Sequence, residues 1–139
     1  VHHSRTSCLD HRIMSCCGST KISRLQPTKL LARITGWAET PIMSSDVLAL
    51  SWSAYILEEA TGVENATDYT DEVLTPVTDY VFDSLQLGTE WTEDAIGYNF
   101  ALTIPGDVFE ERGETYLIRV TFDMAVGESF QGIFLLEVE

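Results

Sequence analysis

The side chains best suited to metal binding and nucleophilic chemistry are confined to one end of the chain. All three histidines and all three cysteines of the 139 residues lie within the first 17 positions. Cys16 and Cys17 are adjacent and no Cys-x-x-Cys pair is present, so the spacing does not fit a tetrahedral zinc site. Three cysteines in this segment also form no disulfide framework for the rest of the chain. We predict reduced thiols and no bound metal or cofactor.

Catalysis by the remaining residues would have to rely on carboxylates alone. Residues 34–139 contain no histidine, cysteine or lysine, which removes the usual bases of nucleophile–base pairs. Paired carboxylates could support glycosidase-type hydrolysis. With 21 acidic residues in this part of the chain, however, such pairs arise by chance. We therefore predict a protein that is not an enzyme, and a small hydrolase with paired carboxylates remains a third alternative.

Charge divides the chain into two parts. Residues 1–33 carry six basic and one acidic side chain, a net of +5, whereas residues 34–139 carry two basic and 21 acidic ones, a net of −19. This asymmetry predicts an extended basic arm over residues 1–29 and a folded acidic domain over residues 30–139. We expect the arm to dock against acidic protein surface, including that of a neighbouring copy, through Lys21, Arg24, Lys29 and Arg33. Because no aromatic side chains alternate with these charges, the pattern argues against nucleic acid as the partner.

The first residues raise a question about where the protein starts. Met14 is followed by Ser-Cys-Cys-Gly-Ser, and residues 1–13 show no hydrophobic periodicity. One hypothesis is that residues 1–13 precede the true start at Met14. The chain shows neither the apolar core of a secretory signal nor an apolar run of about 18–20 residues. We predict no signal peptide, no transmembrane segment and no membrane partner.

Two acidic clusters could hold calcium, a hard cation that prefers oxygen ligands. The first comprises Asp68, Asp71 and Glu72, and the second Glu90, Glu93 and Asp94. Neither matches the spacing of an EF-hand loop. Surface acids without metal are the favoured interpretation.

The three tryptophans, Trp37, Trp52 and Trp91, suggest a platform for carbohydrate. Trp52 shares the apolar alternation of its segment and is predicted to lie in the core. Trp91 lies between acids in a turn and is predicted to be the exposed aromatic and a possible ligand contact. The sequon at Asn65 is interpreted as accidental in the absence of a secretory signal.

Apolar side chains alternate with polar ones along most of residues 30–139, the period of β-strands. No segment of ten or more residues shows a helical stripe. The predicted strands cover residues 30–37, 46–57, 73–77, 80–87, 96–104, 115–124 and 130–138. Leu48, Leu50, Trp52, Ala54 and Ile56 are expected to share one face of the second strand, and Ile96 is assigned to the core face of the fifth.

About seven short strands separated by Gly, Pro and Asp turns predict an all-β protein, an antiparallel immunoglobulin-like β-sandwich with an extended N-terminal arm. The spacing of Gly113 and Tyr116 is similar to the corner before strand F in immunoglobulin-like and fibronectin-like domains. In those domains the tyrosine hydroxyl bonds to nearby backbone. Both residues are therefore assigned a structural role.

The most distinctive motifs are VFDSLQ at residues 81–86 and WTEDAIGYNF at residues 91–100, followed by YLIRVTF at residues 116–122. Together they resemble small immunoglobulin-like β-sandwich proteins encoded by bacteriophages and in prophage-like gene neighbourhoods, with looser similarity over residues 79–139. The resemblance carries over no catalytic residue. It implies a virion structural protein of the neck, tail or capsid exterior, assembled in the host cytoplasm, whose partners are other virion proteins or copies of itself. The alternative is a sandwich module that binds carbohydrate or a surface ligand near Trp91.

Overall fold

The computed structural model describes residues 2–4, 8–10 and 19–139. Eleven strands are present in these ranges, and the helical residues there form only three-residue 3₁₀ turns. Within the described part of the chain, no helix has the length and apolar character needed to cross a membrane. The strands are β1 (His2–Ser4), β2 (Cys8–Asp10), β3 (Ser19–Ile22), β4 (Thr28–Ala32), β5 (Val47–Glu58), β6 (Val63–Ala66), β7 (Glu72–Val73), β8 (Val81–Gln86), β9 (Tyr98–Ile104), β10 (Thr115–Met124) and β11 (Phe130–Val138).

The strands form two sheets. The smaller sheet has the order β1-β4-β9-β8, and the larger has the order β2-β11-β10-β5-β6, with β7 also paired to β5. Pairing is antiparallel between β4 and β9, β8 and β9, β5 and β10, and β10 and β11. Strand β3 instead lies parallel to β11. The prediction of an all-β protein is confirmed.

Aromatic side chains join the two sheets face to face. Phe100 of the smaller sheet packs edge-on against Phe122 of the larger one, with ring centroids 5.2 Å apart, and lies 6.5 Å from Phe134. Phe122 stacks on Phe130 at 4.6 Å. The core therefore lies between the sheets, where burial of aromatic surface supplies much of the driving force for folding.

The predicted inward faces of the last two long strands are confirmed by burial. These side chains are Tyr116, Ile118, Val120 and Phe122 of β10, and Phe130, Phe134, Leu136 and Val138 of β11. The period-two pattern predicts the inward face of these strands because β10 pairs with β11 without a register shift.

A β-bulge changes the prediction for β5. Leu48 was expected on the core face, but its side chain is 73% exposed and Val47 is buried in its place. Met124 pairs with Val47 and Asp123 with Ala49, so Leu48 is the extra residue of the bulge. One inserted residue moves every side chain on one side of the bulge to the opposite face of the strand. Trp52 lies beyond the bulge and is buried as predicted.

The sandwich starts earlier than the predicted boundary at residue 30. Strand β3 pairs with the edge of the larger sheet, Ile22 is fully buried, and its carbonyl accepts a hydrogen bond from the Glu139 N–H. Strand β4 begins at Thr28 and ends at Ala32, so the predicted strand over residues 30–37 was placed too late. Residues 19–29 are therefore part of the folded domain.

Candidate functional site

Three of the four basic residues predicted to dock a partner contact their own domain instead. Lys29 Nζ lies 2.7 Å from a carboxylate oxygen of Glu90, and Arg24 Nε donates a 2.7 Å hydrogen bond to the Glu110 carbonyl. Arg33 lies 2.7 Å from Asp94 Oδ2. Lys21, on β3, is exposed. The fold brings acidic loops and a carbonyl group to these three side chains, and docking of a partner through the four residues stays a prediction.

The loop between β8 and β9, residues 87–97, folds back over the outer face of the smaller sheet. Trp91 was predicted to be exposed, but it is only 8% exposed and packs with Leu31 and Tyr98. Its ring centroid lies 5.6 Å from that of Tyr98. The acids around Trp91 in the sequence suggested a solvated turn, whereas the tryptophan covers a small apolar cluster. The premise of an exposed aromatic contact for a ligand is therefore not met.

Asp94 holds this loop in place. Its Oδ1 accepts hydrogen bonds from Trp91 Nε1 at 2.9 Å and from the N–H groups of Ile96 and Gly97 at 2.9 and 3.1 Å. Its Oδ2 pairs with Arg33, which also donates to the Gly97 carbonyl. These donors, with Trp91 the largest contributor, hold the pKa of Asp94 well below its ordinary value of 3.8. Ile96 is left exposed in this turn, contrary to its predicted core position.

The depressed pKa of Asp94 predicts a pH-dependent contribution to stability. A carboxyl whose pKa is lower in the folded state stabilises the fold above its unfolded value near 3.8, and this contribution decreases as the pH falls below that value. At pH 7 we expect Asp94→Asn to melt at a lower temperature than the wild type, and at pH 2 we expect the difference to shrink. Thermal unfolding at both pH values measures this difference in melting temperature. Glu128→Gln is the control for the loss of one negative charge. An equal difference at both values contradicts the prediction.

Asn99 is a buried polar residue that the sequence reasoning missed. It is 1% exposed, and its Oδ1 accepts a 2.7 Å hydrogen bond from the Ile34 N–H. Its Nδ2 donates to the carbonyls of Ile34 and Ile42, each at 2.9 Å. Asn99 thereby ties both ends of the connection between β4 and β5 to strand β9. The sequence feature that could have identified Asn99 is its single amide side chain between the aromatic residues Tyr98 and Phe100.

The connection held by Asn99 forms one wall of a groove at this end of the sandwich. The other wall is the turn between β10 and β11. The groove has a volume of about 280 Å³ and is lined by Gly36, Thr40, Pro41, Ile42, Ser45, Asp46, Met124, Ala125 and Val126. The Ala125 N–H donates a 2.9 Å hydrogen bond to the Asp46 carbonyl, which joins the walls at the base. Val126 is 90% exposed at the rim. We refer to these nine lining residues as the turn groove.

Neither of the two acidic clusters considered for calcium forms a metal site in the described residues. Nowhere in residues 2–4, 8–10 and 19–139 do three His, Cys, Asp or Glu side chains come together in a way that could hold a metal ion. This applies to Asp68, Asp71 and Glu72, and to the second cluster around Asp94. Asp94 uses its oxygens for Arg33, Trp91 and backbone N–H groups instead.

The predicted corner residues lie at the start of β10. Tyr116 is buried, and its hydroxyl oxygen accepts a 3.1 Å hydrogen bond from the Glu111 N–H. Gly113 adopts a φ of +83°, which is unfavourable for residues with a side chain, and its N–H donates to the Val138 carbonyl at 2.8 Å. This is the geometry of a tyrosine corner.

Comparison with known proteins gives no relative: no protein-family model, no curated protein and no solved structure matches this chain. The functional interpretation therefore depends on the geometry of the described residues. Of the N-terminal metal-ligand and thiol candidates, His11, Cys16 and Cys17 lie outside those residues, as does Met14. Two surfaces of the described residues are suited to protein–protein contact: the turn groove and the edge formed by β3 and β11.

Proposed function

We propose that this chain is a non-enzymatic structural protein that works by protein–protein contact, built on an immunoglobulin-like sandwich and incorporated into a bacteriophage particle. The observation that carries the proposal is the strand pairing. The order β4-β9-β8 in one sheet and β5-β10-β11 in the other supports the immunoglobulin-like assignment, because such domains order strands B-E-D and C-F-G in the same way. The parallel strand β3 extends the sheet beside the strand that corresponds to G.

One further observation supports the immunoglobulin-like part of the proposal. The hydrogen bond to the Tyr116 hydroxyl lies at the start of β10, which corresponds to strand F, where such domains carry their tyrosine corner. The inter-sheet core combines aliphatic and aromatic side chains, and residues 34–139 contain no cysteine, which departs from the disulfide-bonded antibody domains. The sandwich is thus held by packing and not by an inter-sheet disulfide.

The residue content supports a binding role over a catalytic one. Residues 34–139 have no histidine, cysteine or lysine, and the carboxylate of Asp94 is used to hold a loop. Sites of general acid–base catalysis instead combine a cleft with a group whose pKa is tuned toward neutrality. The assignment to a phage particle rests on the resemblance of the motifs within residues 81–100.

The proposed docking element is the segment before β3, residues 1–18. The sandwich edge now accounts for residues 19–29, so a deletion through residue 29 would remove the buried Ile22 and the first residues of β4. Deletion of residues 1–18 leaves β3 in the chain and removes only β1 and β2, two strands of three residues each that pair with β4 and β11 at the ends of the sheets. Arg5 and Arg12 lie in this segment and supply its basic charge.

We expect the chain lacking residues 1–18 to fold with a strand-type circular dichroism spectrum and to be missing from assembled particles. The test is mass spectrometry of particles produced from the genome that encodes the chain. Arg5→Glu combined with Arg12→Glu keeps the full length and is expected to lower incorporation as well, whereas Arg112→Ala is the control and should incorporate normally. Normal incorporation of the deletion variant contradicts docking through residues 1–18, and absence of the wild-type chain from particles contradicts the virion assignment.

A further inference from the structure

The turn groove combines a small apolar cavity with an exposed apolar residue. Val126 is 90% exposed at the tip of the turn between β10 and β11, and Ile42, Pro41 and Met124 line the floor and walls. An isolated exposed valine needs no explanation. Here it stands at the rim of a cavity, so that an apolar side chain placed in the groove would bury Val126 together with Pro41.

The size of the groove favours a protein side chain over a small molecule. Its volume of about 280 Å³ lies at the lower limit of the roughly 300–1,000 Å³ typical of small-molecule sites. A cavity of this size suits one or two anchoring side chains from a partner, the arrangement that dominates binding energy at protein interfaces.

The charge around the groove specifies the partner. Asp46 lines it, Glu39 and Asp123 lie next to lining residues in the chain, and Glu128 follows the lining residue Val126 by two positions. Neither wall contributes a compensating cation, because residues 34–111 and 120–139 contain no lysine or arginine. Arg33 precedes the first wall, but its guanidinium is engaged by Asp94 and the Gly97 carbonyl. The groove therefore has an acidic rim with no basic residue in either wall.

This rim distinguishes between possible occupants. A second sandwich docking through the same surface would bring two acidic rims together, which is unfavourable at close range. Nucleic acid is excluded by the same sign of charge. A segment with lysine or arginine beside an apolar residue would satisfy both the cavity and the rim.

We propose that the turn groove binds a basic segment of a partner protein, with an apolar side chain of that segment inserted against Val126 and Ile42. This inference rests on the proposed function, which it deepens by naming a second contact surface and the chemistry of its partner. Asn99 supports the groove from below, since its amide holds the Ile42 carbonyl. The proposed docking through residues 1–18 involves a different surface and is tested by a different experiment.

The test is selection of a displayed library of random dodecapeptides on the full-length chain, followed by binding measurements on the selected peptides. We expect selected peptides to carry a net positive charge and an apolar residue near the lysines or arginines. Val126→Ser is expected to weaken their binding by about tenfold, which corresponds to about 1.4 kcal/mol. Glu128→Lys is expected to weaken it too and to reduce its dependence on salt.

The matched control is Val73→Ser, because Val73 is 75% exposed on β7 and lies outside the groove. Circular dichroism establishes that each variant is folded. The proposal is overturned if no peptide is enriched, if the selected peptides lack excess positive charge, or if Val126→Ser and Val73→Ser have equal effects. Self-association in sedimentation that Val126→Ser abolishes would also overturn it in favour of a second copy. None of these results decides the outcome of the particle-incorporation experiment, so the two proposals can fail separately.

Discussion

Asn99→Ala is expected to lower the free energy of unfolding by at least about 2 kcal/mol. The substitution removes the side-chain partner of two backbone groups, the Ile34 N–H and the Ile42 carbonyl, whereas the Ile34 carbonyl still accepts a hydrogen bond from the Ile42 N–H. Each such group left buried without a partner costs about 1–3 kcal/mol. Urea unfolding followed by circular dichroism measures the change, and an unchanged m-value would indicate that the denatured state is not altered.

The control for this substitution is Asn65→Ala on strand β6. Asn65 is exposed, and its Nδ2 makes a long 3.4 Å contact with the Ile56 carbonyl, so we expect a change within about 0.5 kcal/mol. A loss below about 1 kcal/mol for Asn99→Ala would mean that water or a backbone shift replaces the amide. In that case Asn99 does not hold the first wall of the turn groove.

Trp91→Ala is expected to destabilise the protein by about 3 kcal/mol, with the effect concentrated in residues 87–97. The side chain covers Leu31 and Tyr98 on the outer face of the smaller sheet, and its Nε1 donates to Asp94. Its loss removes both the apolar contact and one of the donors to that carboxylate. Hydrogen exchange measured by mass spectrometry should show faster exchange in residues 87–97 than in β10 and β11.

The matched comparison for this variant is Trp52→Ala. Trp52 belongs to the core between the sheets and stacks on Tyr69 with ring centroids 5.8 Å apart. Its removal should accelerate exchange throughout the sandwich, because the inter-sheet core is shared by all long strands. If Trp91→Ala leaves exchange in residues 87–97 unchanged, the outer cluster does not hold that loop.

Alternation of apolar residues was sufficient to predict the long central strands. In β10 the apolar side chains Tyr116, Ile118, Val120 and Phe122 follow the period of two and are all buried, although Thr115 before them and Leu117 between them are buried as well. Such strands have one face on a core, so their sequence records their orientation. The all-β class follows from these segments alone.

The predictions failed where a single residue depends on contacts distant in sequence. Leu48 is exposed because of a bulge whose partner residue lies in β10, more than 70 positions away. Strand β3 is too short and polar to stand out from a linker, and it is defined by its pairing with β11. Neither the bulge nor the parallel pairing leaves a local pattern.

The candidate site was harder to predict than the fold for a related reason. The sequence shows no local partner for Lys29 or Arg33. Lys29 pairs with Glu90 and Arg33 with Asp94, and each partner follows 61 residues later. The turn groove likewise combines residues near position 42 with residues near position 125. A charge profile predicts the sign of a surface, whereas the fold decides which charges are neutralised and which remain available.

The parallel pairing of β3 with β11 also determines how the domain would carry mechanical load. Ser19 lies beside Leu135 and Ile22 beside Val138, so the two strands run in the same direction along one edge. A pulling force applied between residue 19 and Glu139 would act along both strands and strain their hydrogen bonds together, in shear. The bonds would resist as a group and would not open one after another. Under such a force, the parallel pair of β3 and β11 would therefore carry the tension across the domain.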